Sequence, residues 1–194
     1  MGKGRGAPAR RRNRRSAAQI DLILDALAFS AHKHRDQRRK DSRASPYVNH
    51  PIAVARTLAH DGRVHDPSVI AAGLLHDTLE DTRTSAAELR QRFGPTIAAM
   101  VREVTDNKRL SKKRRKRLQI EHARRLSYGA RLVKLADKIS NLRDLLISPP
   151  LGWSLARRRE YFDWAKAVVD ELRGTNARLE REFDRLYRRR PRRG

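Results

Sequence analysis

Apolar residues in this chain recur at helical spacing and almost never alternate as they would in a strand, and that pattern constrains the fold more than any other feature. Ile20, Ile23, Leu24, Leu27 and Ala31 follow the i, i+3, i+4, i+7 rule and predict an amphipathic helix from Ser16 to about Lys40. Asp41 to Asn49 interrupts it, because the segment is polar and Pro46 pushes Ser45 out of the helical region. Pro51 suits the first turn of a second helix, whose Ile52, Ala55, Leu58 and Ala59 share a face. Val69 to Leu75 is almost wholly apolar and predicts a helix buried on most sides. Thr84 is the expected cap of a helix through Phe93, with Gly94-Pro95 ending it and starting the next, whose buried stripe is Ile97, Met100, Val101 and Val104. Leu132, Leu135, Ala136, Ile139, Leu142 and Leu146 mark another helix, which Pro149-Pro150 stops. Tyr161 to Leu172 and Asn176 to Tyr187 are two final helices hinged at Gly174. Only Arg38 to Asn49 has room for a short hairpin. The expectation is an all-α bundle of about 8–10 helices.

Charge divides the chain further. Lys and Arg exceed Asp and Glu by 24, and half of that excess sits at the ends: +7 in residues 1–15 and +5 in residues 188–194. Blocks of like charge repel and stay solvated, so the expected organisation is a disordered basic tail over 1–15, a body over 16–187 and a basic tail over 188–194. Loose adhesion to RNA or another polyanion is the functional alternative for the tails, although no aromatic residue interleaves their arginines. Lys108 to Arg117 is a third basic run. The chain has no cysteine, which removes disulfides and thiolate ligands or nucleophiles. No apolar run approaches membrane-spanning length and no secretory h-region is present, so a cytoplasmic protein without membrane contact is expected.

Of seven histidines, His60, His65 and His122 read as surface residues. His76 differs: it ends the most apolar segment and is followed at once by Asp77, with Glu80 and Asp81 one helical turn on. An ionisable pair at the end of a buried helix is costly unless something pairs with it. Asp137, Asn141 and Asp144 form a second polar stripe at i, i+4, i+7. Spacing alone leaves that stripe, with Lys134, Lys138 and Arg143 beside it, open between a solvated face and a phosphate contact.

His50, His76-Asp77 and Asp137 together resemble the ligand pattern of the HD-domain phosphohydrolases. The segments Arg38-Arg39-Lys40, Pro46-Tyr47-Val48-Asn49-His50-Pro51, His76 to Thr82 and Leu135 to Arg143 narrow the resemblance to the RelA/SpoT hydrolase domain. Gly152-Trp153-Ser154, Glu160 to Trp164 and Gly174-Thr175-Asn176 narrow it to the small alarmone hydrolases, metazoan members included. The resemblance covers roughly residues 18–185. It implies an all-helical HD-type domain that binds one Mn²⁺ and removes the 3′-pyrophosphate of (p)ppGpp, giving GDP or GTP and pyrophosphate. Larger members follow this domain with a synthetase, and no synthetase activity is expected here.

Carried over by position, the resemblance makes His50, His76, Asp77 and Asp137 the metal ligands. It gives Glu80 and Asp81 the positioning and activation of water, Arg39 and Lys40 substrate contact, Asn141 a place near the ribose and Tyr161 one in the nucleotide site. The chain departs from the pattern in its Arg-rich tails, in Asp144 where long members usually carry Thr, and in the spacing of residues 41–45. Two imidazoles and two carboxylates leave positions open on a six-coordinate ion; the set suits Mn²⁺ without excluding Zn²⁺ or Fe²⁺. A polyphosphate needs neutralisation, which Arg39, Lys40, Lys112 or Lys113 can supply. The rival readings are another nucleotide phosphohydrolase on the same scaffold, such as an NADPH 2′-phosphatase, and a basic RNA-binding helical protein with a dead site.

Overall fold

The computed structural model describes the backbone of residues 7–191 and the side chains from residue 16 onward. Over this range the fold is all-α. Its helices are α1 (Ala7–Lys33), α2 (Asn49–Arg56), which runs on into a π-helical turn (Thr57–Asp61), α3 (Pro67–Leu75), α4 (Thr78–Asp81), α5 (Ala86–Val104), α6 (Lys112–Ala123), α7 (Tyr128–Ile147), α8 (Leu155–Asp170) and α9 (Ala177–Tyr187). None of these helices is long and apolar enough to cross a membrane. The hairpin expected near 38–49 shrinks to one isolated antiparallel bridge between Arg38 and Pro46. Arg39 N–H donates to Ser45 O at 2.8 Å and Tyr47 N–H to Gln37 O at 3.1 Å. Pro46 offers no donor to extend the ladder, and Ala44 turns back at φ 46°.

Two helices form the centre. α3 is capped by Asp66, whose side chain accepts from Ser68 N, and buries Val69, Ala71, Ala72, Gly73, Leu74 and Leu75 as its composition demands. It packs against α1, α2, α5 and α7. Gly73 permits this closeness, since a Cβ there would stand 2.7 Å from Leu58 Cδ1. α7 is capped by Ser127 and enclosed by α2, α3, α5, α8 and α9. Much of its polar side is therefore interior as well: Lys134, Asp137 and Lys138 are buried, which overturns the solvated-face reading at Asp137, while Asn141 is half-buried and the Asp144 side chain stays 42% exposed. The C-terminal end of α3 and the middle of α7 are the fixed points on which the site is built.

Several element boundaries differ from expectation. α1 begins inside the basic stretch 1–15 and ends at Lys33, where His34 turns inward and its Nδ1 meets Gln37 Oε1 at 2.7 Å. Its buried face is Ala26, Phe29 and Ser30, rotated from the expected stripe, so that Ile20 and Leu24 are 57% and 55% exposed. Ile52 also faces outward, whereas Ala55 and Leu58 of the expected face are buried, with Val54 beside them. Ser85, not Thr84, caps α5 by accepting from Glu88 N; Thr84 is occupied with the Thr82 hydroxyl at 2.7 Å. Gly94, at φ 83°, makes the break within α5 that Gly94-Pro95 predicts. α8 starts at Leu155 under a Ser154 cap, six residues before Tyr161. α6 falls on the basic run, whose like charges concealed it. At the C-terminal end, Arg190 pairs with Asp163.

Candidate active site

Four segments bring the chemistry together. His50 is the second residue of α2, His76 follows α3, Asp77 precedes the short α4, and Asp137 lies mid-way along α7. One ligand atom each from His50, His76 and Asp137 lies within 4.8 Å of the others. His50 Nε2 is 3.2 Å from Asp137 Oδ1, and His76 Nε2 is 3.8 Å from the same oxygen. Asp77 Oδ2 stands 3.1 Å from His76 Nε2 and 3.8 Å from His50 Nε2. Three of the four expected ligands, His50, His76 and Asp137, thus form the convergent set, and Asp77 stands beside it against both imidazoles.

The orientation of His76 is set by the backbone. Gly73 O can only accept, so the His76 Nδ1–H donates to it at 2.8 Å. That aims Nε2 into the cluster, where it is buried without a hydrogen-bond partner. An orphaned imidazole nitrogen facing two carboxylates fits a bound cation. Burial works against a charged His76, but the adjacent Asp77 carboxylate outweighs it and raises the imidazole to about 9. Burial likewise opposes ionisation of Asp137, yet Lys138 and His50 hold its carboxyl well below the usual range. Lys138 Nζ donates to Asp137 Oδ2 at 3.0 Å, and Asn141 Nδ2 donates to Oδ1 at 2.6 Å.

Glu80 and Asp81 lie on α4 beside the cluster. Glu80 Oε2 accepts the Asp106 amide N–H at 3.1 Å, and burial pushes its carboxyl up. Asp81 pairs with Lys108. Two cavities flank this region. One, of about 240 Å³, is lined by Arg39, Lys40, Tyr47, Asn141, Asp144 and Trp153; the other, of about 270 Å³, by Lys112, Arg115, Lys116, Arg157 and Trp164. Trp153 and Tyr161 border both.

Each expected contact residue except Lys113 therefore borders a cavity, although Arg39 is paired with Asp144 and Asn141 with the Asp137 carboxylate. Lys113 is exposed and borders neither. Arg143 borders neither cavity and pairs with Asp61 and Glu182. Sequence reasoning missed roles for Tyr47, Asp106, Lys108, Arg115 and Lys138. Tyr47 stood in a segment that carries the resemblance and Lys138 directly after Asp137, but neither position by itself indicated a role.

Residues 26–159 match the HD domain family. The guanosine-3′,5′-bis(diphosphate) 3′-pyrophosphohydrolase MESH1 of Danio rerio is 53% identical over 166 residues, spanning 86% of this chain and 92% of that protein. MESH1 of Homo sapiens is 52% identical over 168 residues, spanning 87% and 94%. The solved structure of a metazoan ortholog of SpoT, described as hydrolysing ppGpp, superposes with a TM-score of 0.85 at 51% identity, covering 87% of this chain and 95% of that one. The chain belongs to the HD-domain family. Within that family its likeness is to MESH1, over nearly the whole length of those relatives. HD domains are metal-dependent, and the His/Asp cluster here is of the kind that holds an ion.

Proposed function

We propose that this chain is a (p)ppGpp 3′-pyrophosphohydrolase that uses one Mn²⁺ held by His50, His76, Asp77 and Asp137. The observation that carries the reading is the meeting of these four side chains, with His76 Nε2 buried and unpartnered, in a chain 52–54% identical to MESH1 proteins. A divalent ion at such a site lowers the pKa of bound water and takes up charge from a phosphate oxygen. Glu80 or Asp81 accepts the proton of the attacking water. The water oxygen bonds to the phosphorus next to the 3′-oxygen, and the bond from that phosphorus to the 3′-oxygen breaks. The 3′-oxygen takes up a proton as the bond breaks, and GDP or GTP and pyrophosphate leave. Arg39 and Lys40 on one side, with Lys112 on the other, supply cations for the substrate's phosphates. Asn141 and Tyr161, on the cavity walls, are the groups for the ribose and the nucleotide.

The test is direct. Purified chain with Mn²⁺ is offered ppGpp, pppGpp and NADPH side by side, and the products are resolved. The reading predicts pyrophosphate and GDP or GTP from the first two. Release of inorganic phosphate from NADPH alone would instead assign the scaffold to a 2′-phosphatase.

A further inference from the structure

α6 meets the core only toward its C-terminal end, through Ile120 and Ala123. Of its twelve residues only Ala123 is buried. Polar ties hold the rest: Trp164 Nε1 donates to Lys116 O at 3.0 Å, Lys116 Nζ to Glu160 Oε1 at 2.8 Å, and Gln119 Nε2 to Asp106 Oδ2 at 2.8 Å. A fourth tie reaches the site, where Arg115 Nη1 stands 3.6 Å from Glu80 Oε1. The other Glu80 oxygen accepts the Asp106 amide N–H. Both oxygens of this carboxylate are therefore engaged by one stretch of chain, the approach to α6 and its first turn. Arg115 is partly buried and its Nε has no hydrogen-bond partner. Withdrawing that group from water is costly, and the carboxylate opposite is the compensation visible in its surroundings.

We propose that Arg115 is a positioning residue for Glu80, fixing the direction of its carboxylate and favouring its ionised form so that Glu80 can take the proton from water. The proposal rests on the hydrolase reading and on the role given there to Glu80. The charged groups around Glu80 are Asp77 and Asp81 beside it, Asp106 before α6, Arg115 on α6 and Lys134 on α7. Without Arg115, three carboxylates and burial face Glu80, against the Asp106 amide N–H and the buried ammonium of Lys134. Its proton is then held more tightly.

The experiment uses the full chain with Mn²⁺ and ppGpp, comparing wild type with Arg115→Met and Arg115→Lys. Arg115→Met should lower kcat about 10–100-fold and leave KM nearly unchanged. It should move the acid limb of the kcat profile upward by about one pH unit, and Arg115→Lys should return the limb toward its original place. Added to Glu80→Gln, Arg115→Met should cost nothing more, because both remove the same step. A carboxyl NMR titration of Glu80 in the ion-free protein should show the same upward move without reference to turnover.

A raised KM at unchanged kcat would make Arg115 a phosphate contact and overturn the proposal. So would losses that multiply with Glu80→Gln, or an unmoved Glu80 titration. If Arg115→Met lowers the melting temperature, Arg115→Gln carries the same measurements. A wild-type chain that leaves ppGpp intact overturns the hydrolase reading, and the Glu80 titration then decides the Arg115 contact by itself.

Discussion

Tyr47 donates its hydroxyl to Asp77 Oδ2 at 2.6 Å, and the same hydroxyl lies 3.3 Å from Asp81 Oδ2. That Asp77 oxygen is also the one facing His76 Nε2. A single phenol thus joins an expected ion ligand to an expected proton acceptor. Burial, followed by the charges of Asp77 and Asp81, pushes the phenol well above its ordinary range and keeps it protonated as a donor.

Tyr47→Phe removes that donor while keeping the ring, whose centroid is 4.9 Å from that of His34. Groups that orient a metal ligand typically contribute about 10–100-fold to ion affinity. Calorimetric titration with Mn²⁺ should show a loss of that size, with the melting temperature of the ion-free protein nearly unchanged. Equal affinity in the two proteins would remove Tyr47 from the site.

Asp77→Ala should abolish stoichiometric ion binding, because it deletes one of two carboxylates facing two imidazoles. Elemental analysis should find one ion per wild-type chain and close to none in the variant, with helicity by circular dichroism retained. A tightly held ion in the variant would mean that His50, His76 and Asp137 suffice.

Glu80→Gln and Asp81→Asn separate catalysis from ligation. Neither residue belongs to the convergent His50, His76 and Asp137 set, and neither pairs with the two imidazoles as Asp77 does. Both variants should bind the ion normally and lose turnover by about 10²-fold or more. Near-normal rates in both would refute their assignment to water.

The elements that the sequence made legible were those in which burial and period agree. α3 is apolar almost throughout, and α7 carries a full apolar stripe, so both were read from spacing, and with them the positions of His76, Asp77 and Asp137. α6 was hidden because its residues bury almost nothing. Its position depends on partners distant in sequence, Glu80, Asp106, Glu160 and Trp164, which local patterning cannot reveal. The rotation of α1 has a similar cause. Ile20 and Leu24 satisfy the helical rule as well as Ala26 and Phe29 do, and the choice between the faces is made by α3 and by Phe93, whose ring meets Phe29 at 5.3 Å. The second polar stripe went the other way: Lys134 and Lys138 look like surface residues until Val104 O and Asp137 receive their ammonium groups in the interior.

Arg143 supplies the last test, because it shows that a charge beside the site serves the fold. Its Nη1 donates to Thr57 Oγ1 at 2.9 Å and its Nη2 to Asp61 Oδ2 at 2.8 Å, while Glu182 closes the group from α9. The guanidinium therefore ties α7 to the π-helical turn and to the last helix. Hydrogen bonds from Arg185, opposed by burial and reinforced by Arg143, lower the Glu182 carboxyl to about 2. A carboxyl whose folded value lies below its unfolded one stabilises the fold in full above the unfolded value, near 4.5, and loses that contribution as pH falls toward 2. Glu182→Gln should therefore destabilise the protein at pH 7 by about 1–3 kcal/mol, the usual range for a partly buried charged hydrogen bond. Urea melts of wild type and variant at pH 7, 4 and 3 should show the gap narrowing once pH passes below about 4.5. A gap of constant size across that range would mean that the Glu182 carboxylate charge contributes nothing and that only its packing does.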